Sequence, residues 1–288
     1  NSSHRTVFQN ALAGGADIRF ANSVGTHLPY QIERWSTTPT DTSAAIWVQA
    51  DNVAANNVTT IRMYWGNGSA TSRSNGPQVF DFGSNFRGVW HLGDSTGINP
   101  RPNAVAGAPA ATPSNDAGTF GGGSYVIPNG IIGLADTIRG AGSRGTPSAT
   151  SDYLYIGSGA VTGSTPWSGN NTYVGYNNFS TGYTYSLWVN SGNANVGTNS
   201  YMLELANLTG DQDNIQFFRT SNANPGAVKH QNDNGTANGS AAAATSAANG
   251  INNSVWQHFV VTAGTGSNPA VNIYKNGALV LTTTGQVP

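Results

Sequence analysis

Apolar and polar residues alternate with a two-residue period along much of the chain. The alternating or β-branched and aromatic runs lie at 45–49, 59–65, 183–190, 214–219 and 256–262. A two-residue period is typical of a strand that buries one face, so these runs predict an all-β protein. Four tryptophans that lie within strand-like motifs, Trp47, Trp90, Trp188 and Trp256, are predicted to lie in the core.

Turn signals separate these runs. Residues 271–274 and 278–281 are joined through Lys275-Asn276-Gly277, and Asn-Gly between two strand-like runs favours a type I′ hairpin turn. Many short strands with turns between them predict a β-sandwich or jelly roll. No helical pattern of useful length is present, and the polar tracts 141–151 and 234–254 are predicted to be surface loops.

The composition narrows the class of partner. The 288 residues carry a net charge of −1, and charged residues make up 9%, against roughly 25% in an ordinary soluble domain. A basic face for nucleic acid is therefore not expected. Cysteine is absent, which excludes disulfides and thiolate metal sites. No run approaches the roughly 18 apolar residues of a membrane span, so membrane insertion is not expected. A protein outside a bacterial cell fits this composition best.

Catalytic residues are not predicted. Sandwich enzymes that act on polysaccharides use paired carboxylates, but Glu33 and Glu204 are the only glutamates. Asp211 and Asp213 lie in a Gly-Asp-Gln-Asp-Asn run that is typical of a turn. The five histidines are scattered without the spacing of metal ligands: His4, His27, His91, His230 and His258.

One group of aromatic residues lies outside the strand-like runs. Trp167 is part of a loop-like Ser-Thr-Pro-Trp-Ser-Gly-Asn-Asn run, and Tyr173, Tyr176 and Phe179 follow it. If these rings are exposed, their faces can stack on sugars while neighbouring Asn and Ser hydrogen-bond the hydroxyls. The other interpretation is that the segment folds back and buries them. The four residues are the candidate glycan-binding site.

Four segments together resemble a known family. They are Asp17-Ile18-Arg19-Phe20, the run 28–35 (Leu-Pro-Tyr-Gln-Ile-Glu-Arg-Trp), the run 61–67 (Ile-Arg-Met-Tyr-Trp-Gly-Asn) and the run 86–92 (Phe-Arg-Gly-Val-Trp-His-Leu). In this order they resemble a bacterial secreted module, the domain-of-unknown-function family 2341. That module is often followed by a laminin-G-like, concanavalin-A-like sandwich, in surface proteins similar to biogenesis protein Q of the mannose-sensitive haemagglutinin pilus.

The resemblance implies two β-sandwich-type modules. Residues 1–86 form the family-2341-like module and 87–288 a laminin-G-like jelly roll, whose first strand is expected at 88–94. The family pattern continues beyond both ends of this chain, which indicates either a fragment or a sandwich completed by strands from another copy. Laminin-G-like sandwiches often hold one Ca²⁺ at a loop edge. The candidate ligands are Asp94, Asp152, Asp211 and Asp213, unless each merely caps a turn.

Three functions compete on these grounds. The first is a non-catalytic protein of the bacterial surface, or of an appendage, that binds glycans or other cells. The second is a subunit of an extracellular filament whose copies exchange strands. The third, a polysaccharide-degrading enzyme, is disfavoured by the scarcity of glutamate and the absence of paired acids. Fold alone does not separate the first two.

Overall fold

The computed structural model describes residues 2–81, 83–93, 100–113, 126–127, 130–136, 154–156, 181–192, 200–205, 215–220, 223–232, 242–244, 247–266 and 269–284. The chain divides into two compact units. The first comprises Asn1–Pro113 with Gly122–Thr137, and the second comprises Ser114–Gly121 with Ile138–Pro288. Antiparallel strands dominate both units, as the alternation predicts.

The first unit contains the following elements: α1 (Ser2–Asn10), β1 (Arg19–Ala21), β2 (Tyr30–Thr38), β3 (Asp41–Val48), β4 (Arg62–Tyr64), α2 (Gly76–Val79), β5 (Ala111–Pro113), β6 (Val126–Ile127) and β7 (Ala135–Asp136). β1 pairs with β4, β2 with β3, and β6 with β7, all antiparallel. The β1–β4 and β2–β3 sheets contribute to one core, whose buried members are Val7, Ile18, Phe20, Leu28 and Tyr30. Burial of these apolar side chains stabilises the unit.

Helix α1 was not predicted from the sequence. Its first turn carries no acidic residue and its last turn no basic residue, so it lacks the end charges that favour an isolated helix. Packing supplies the stability instead. Val7 is buried in the core, and the Phe8 ring lies 4.7 Å from the ring of Trp35. Helices in proteins depend mainly on such tertiary contacts, which a local pattern does not reveal.

A β-bulge interrupts the β2–β3 pairing. Ile32 pairs with Ile46 and Arg34 with Ala45, so Glu33 is the extra residue. In a regular strand Ile32 and Arg34 would share a face. Here Ile32 and Trp35 both pack against the core, so the bulge redirects the residues that follow Glu33, while Glu33 itself points away from the core as ordinary alternation after Ile32 requires. Bulges often lie beside functional sites.

The second unit contains β8 (Leu154–Ile156), β9 (Tyr183–Asn190), β10 (Ser200–Leu205), β11 (Ile215–Arg219), β12 (Val228–Asn232), β13 (Ala242–Ala244), β14 (Trp256–Ala263), β15 (Ala270–Lys275) and β16 (Ala278–Thr284). Two four-stranded antiparallel sheets result. Sheet A has the order β16-β15-β14-β9, and sheet B has the order β10-β11-β12-β13.

The two sheets bury a shared core. In β14 every second residue is buried, so Phe259 and Val261 point inward. Phe259 meets Phe217 of sheet B with their rings 5.4 Å apart, and Ile273 of β15 is also fully buried. This arrangement confirms the prediction of an all-β sandwich fold. That the sandwich is laminin-G-like remains a prediction.

A polar network lies within this sandwich. The hydroxyl of Tyr183 lies 3.1 Å from His230 Nε2, and the hydroxyl of Tyr185 lies 2.8 Å from His230 Nδ1. Tyr183 also donates to Asn232 Oδ1 at 2.8 Å. Burial lowers the pKa of His230 to about 4, although hydrogen bonds with the Gln216 backbone and the Asn232 side chain act in the opposite direction. The imidazole is therefore neutral at pH 7.

The β15–β16 hairpin confirms its predicted turn. Lys275 pairs with Ala278, and the two residues between them have positive φ angles, 50° for Asn276 and 82° for Gly277. A type I′ turn requires φ > 0 at both positions, which Asn tolerates and Gly adopts without a steric penalty.

Two local predictions are wrong. Residues 234–254 were predicted to be a loop, but β13 lies within them and pairs with β12 through Lys229–Ala244 and Gln231–Ala242. Backbone pairing needs no distinctive side chain, so a run of alanines can join a sheet edge. A strand was also expected at 88–94. Within 88–93 only Trp90 pairs, as an isolated bridge to Asn103.

Contacts also extend the first compact unit beyond the predicted module boundary. Asn103 Oδ1 accepts the backbone N–H of Val89 at 3.0 Å, and Val89 packs against buried Val79 and Phe80. Residues 87–113 therefore fold within the first unit. The division of the sequence at 86 and 87 into two families stays a prediction.

Candidate functional site

The outward side of sheet A carries many polar and aromatic residues. Its residues follow from strand alternation: Tyr183, Tyr185, Leu187 and Val189 of β9 pack against the core, so the residues between them point outward. Val260 and Leu279 also share this side, since both are opposite Tyr274. We define the Trp188 face as the following polar and aromatic members of this side: Thr184, Ser186, Trp188, Asn190, Trp256, His258, Thr262, Asn272, Tyr274 and Thr282. Apart from His258, none of these side chains is ionisable near neutral pH.

Trp188 and His258 form the centre of this face. They are directly opposite each other on β9 and β14, and their rings stack at 4.9 Å with an interplanar angle of 24°. Trp188 remains 45% exposed. Ser186 Oγ lies 2.7 Å from His258 Nε2. The indole is thus held in place by a neighbouring ring while much of its surface faces solvent.

The turn after β15 fixes the backbone of His258. Its N–H donates to Asn276 Oδ1 at 2.9 Å, and its carbonyl accepts the Asn276 N–H at 2.8 Å. The residue that gives the hairpin its turn therefore also anchors the partner of Trp188. A ring held by such contacts loses little conformational entropy when it binds a ligand.

A second aromatic ring lies across the sheet from Trp188. Tyr274 is opposite Val260, which is opposite Ser186. Two strand spacings, roughly 10 Å, separate β9 from β15, a distance comparable to a disaccharide unit of an extended glycan. Val260 of β14 lies between these two strands, and on the far side of β15 the neutral side chain of Thr282 donates to Asn272 Oδ1 at 2.8 Å. The face thus offers spaced rings together with uncharged hydrogen-bonding groups.

The prediction that the strand tryptophans lie in the core is wrong for Trp188 and for Trp47, which is 39% exposed. Trp90 and Trp256 are partly buried. For Trp188 the reason is visible in the sequence. The period of two places Trp188 with Thr184, Ser186 and Asn190, on the polar side of β9. The general preference of tryptophan for burial predicts the opposite side and is overridden here by the alternation.

The predicted site residues lie outside the described residues. This applies to the glycan-binding candidates Trp167, Tyr173, Tyr176 and Phe179, and to the calcium candidates Asp94, Asp152, Asp211 and Asp213. Both assignments stay predictions. Within the described ranges, no three His, Asp or Glu side chains gather as metal ligands do.

The close contact between Ser186 and His258 resembles a nucleophile and its base. Such a base is normally oriented by a third group, usually a carboxylate. In the described part of the chain the His258 ring contacts Trp188 and Ser186, and no carboxylate is paired with it. We therefore interpret the pair as a support for Trp188: Ser186 contacts the imidazole of His258, and that ring stacks on the indole.

The Asp-Ile-Arg-Phe motif of the first unit has a structural role. Asp17 is buried and accepts the N–H groups of Leu12 at 2.7 Å and Gly66 at 2.6 Å. Burial by itself would raise the pKa of Asp17, but these backbone hydrogen bonds lower it overall. Arg19 donates to the carbonyl of Ile18 at 2.6 Å and to that of Thr71 at 2.6 Å. The motif therefore joins distant loops.

Comparison with known proteins adds a family assignment for part of the chain. A family model described as a domain of unknown function (DUF2341) matches residues 14–93. The chain therefore contains a DUF2341 domain within its first compact unit, and the match includes Asp17 and Arg19. No curated protein matches the chain. Among the described residues, none belongs to a helix long and apolar enough to cross a membrane.

Proposed function

We propose that this protein is a non-catalytic, extracellular bacterial protein that attaches to neutral glycans through the Trp188 face. The observation that carries the proposal is the exposed, preoriented indole of Trp188 among uncharged polar side chains. Sugar rings present C–H groups on one side and hydroxyls at their edges. The indole suits the first, and Asn190 and Thr262 suit the second.

The charge of the surface supports a neutral ligand. Acidic glycans are usually recognised by Arg and Lys, and neither residue is part of the Trp188 face. A chain with 9% charged residues and no cysteine also fits an extracellular protein. The laminin-G-like identity of the second unit and the likeness to the pilus biogenesis protein are further parts of this proposal, and they rest on the sequence resemblance alone.

Trp188→Ala tests the proposal on arrays of neutral and acidic oligosaccharides. Aromatic stacking contributes roughly 1–3 kcal/mol per ring in comparable base-stacking sites, so we expect about tenfold weaker binding or more. Trp65→Ala is the matched control, because Trp65 has a similar exposure of 41% and lies in the first unit. Equal losses for both variants, or unchanged binding for Trp188→Ala, would contradict the proposal.

A polysaccharide panel tests the absence of catalysis. We expect no release of reducing ends from neutral polysaccharides during prolonged incubation. Release that Ser186→Ala abolishes would instead assign a hydrolytic role to the pair with His258.

Filament assembly by strand exchange remains the alternative function. Electron microscopy of the purified protein tests it, and ordered fibres that resist denaturant would favour the alternative. Monodisperse particles that bind glycans would favour attachment as the primary function.

A further inference from the structure

A carboxylate and several aromatic rings come together in the first unit, on the side of the β2–β3 hairpin away from its core. Glu33 points to this side by ordinary strand alternation, as does Gln31, which pairs with Trp47. Trp47 Nε1 donates a hydrogen bond to Glu33 Oε2, and His91 Nδ1 lies 3.1 Å from the same oxygen. The other imidazole nitrogen of His91 lies 3.3 Å from Gln31 Oε1. Glu33 thus contacts side chains that come from two different segments.

The aromatic rings extend this cluster to the surface. Phe80 is buried at its centre, with the Trp47 ring 5.6 Å away and the Phe86 ring 5.2 Å away, both edge-to-face. Trp47 is 39% exposed and Phe86 is 40% exposed. The accessible rings of Trp47 and Phe86 therefore flank the buried ring of Phe80. The side chain of Glu33 is 11% exposed beside them.

The backbone around the cluster adopts conformations that need compensation. Leu92 has a φ of 53° and Asn85 a φ of 68°, next to His91 and Phe86 respectively. This region is sterically unfavourable for a bulky residue such as leucine. A Cβ atom on Gly76 would lie 2.7 Å from Gln31 Oε1, so a larger residue there would displace the amide that contacts His91. Such features concentrate at functional sites.

We propose that Glu33, Trp47 and Phe86 form a second sugar-binding site, which accepts neutral and amino sugars and rejects acidic ones. Stacking on Trp47 or Phe86 would hold the ring. Among the described residues, Trp47 and His91 both contact Oε2 of Glu33, so we assign Oε1 as the acceptor for a hydroxyl or ammonium group of the ligand. A uronic or sialic carboxylate placed there would meet like charge. The ligand class rests on the proposed function, but the residues and the unit are separate from those of the Trp188 face.

Methyl glycosides that differ only in charge test this site in the full chain. Saturation-transfer NMR compares the amine, neutral and uronate forms of gluco-, galacto- and manno-configured sugars. We expect at least one amine form to bind about tenfold more tightly than its uronate, because a charge-assisted hydrogen bond to Glu33 is gained in one and repulsion in the other. Glu33→Gln should reduce this preference to within about threefold.

Two further variants keep the test independent of any folding defect in Glu33→Gln. Phe86→Ala leaves the contacts among Glu33, Trp47 and His91 in place, and it should weaken binding of the preferred glycoside about tenfold. Trp65→Ala is the matched control and should leave binding of this glycoside unchanged. Absence of binding by every glycoside, equal binding of amine and uronate, or insensitivity to Phe86→Ala would overturn the proposal.

The Trp188→Ala background separates this proposal from the previous one. There the Glu33 site should still bind the amino glycoside, even if the Trp188 face binds nothing in any experiment. If binding of that glycoside disappears in Trp188→Ala and survives Trp47→Ala, the second site does not exist, while the Trp188 face is retained.

Discussion

Each unit of the molecule presents an exposed tryptophan beside a histidine, but the two pairs are built differently. Trp188 and His258 lie opposite each other on regular strands, and their rings are nearly parallel. Trp47 and His91 are 6.1 Å apart, and both contact the carboxylate of Glu33. The surface around Trp188 is built on regular strands and carries uncharged polar groups, whereas the surface around Trp47 centres on the carboxylate of Glu33.

The difference lies in the side chains around each tryptophan. Strand alternation places Trp188 among hydroxyl and amide groups, whereas it places Glu33 on the same side as Trp47. We therefore propose a neutral glycan as the ligand in one unit and an amino sugar as the ligand in the other. Four predictions, in decreasing order of expected effect, test whether the two regions are as distinct as this.

Mild acid should destabilise the second unit through His230. Its pKa is about 4 when folded and about 6.5 when unfolded, so the unfolded state binds the proton more readily. Stability is unaffected above pH 6.5 and falls as the pH drops to 4, by about 3 kcal/mol in total. Hydrogen exchange of β9 and β12 between pH 7 and 4.5 measures this. In His230→Gln the decrease should largely disappear, and an unchanged decrease would contradict the assignment.

Asp17→Asn should destabilise the first unit by about 1–3 kcal/mol, because the amide can replace only one of the two acceptor oxygens that Asp17 offers to Leu12 and Gly66. Urea denaturation, monitored by hydrogen exchange of β1 and β4, measures the decrease in the free energy of unfolding. Asp51→Asn is the control, since Asp51 is exposed and only accepts from the Asn22 side chain. Neutral-glycan binding at the Trp188 face should not change. A parallel loss there would show that the two regions are not separate.

Gly76→Ala should weaken amino-glycoside binding severalfold while leaving the Trp188 face unaffected. The new methyl group would displace the Gln31 amide and with it the support of His91. Titration of both ligand types into one sample measures the two effects together. Unaltered amino-glycoside binding would mean that Gln31 and His91 do not support Glu33.

Ser186→Ala should produce the smallest effect. It removes the hydroxyl that contacts His258 Nε2 and, with a net hydrogen-bond contribution of about 0.5–1.5 kcal/mol, should weaken neutral-glycan binding by about threefold. Ser69→Ala, at an exposed serine of the first unit, provides the control. Complete loss of binding in Ser186→Ala would imply that the serine contacts the ligand directly.

Parts of this account could be predicted from the sequence. The strands of sheet A follow from local alternation, and the I′ turn follows from Asn276-Gly277. The position of Trp188 on the polar side of β9 was also present in that alternation. The Glu33 cluster could not be predicted in this way. It depends on contacts between residues far apart in the chain, such as Glu33 and His91, for which no local pattern exists.

The indole N–H resonances of the full chain test the central claim most directly. Each tryptophan is assigned by substitution with phenylalanine, and a neutral oligosaccharide that binds on the array is then added to saturation. The Trp188 resonance should shift on binding, while that of Trp65 should remain unchanged. Saturating binding that moves other tryptophan resonances and leaves Trp188 unmoved would contradict the claim that the Trp188 face binds glycans.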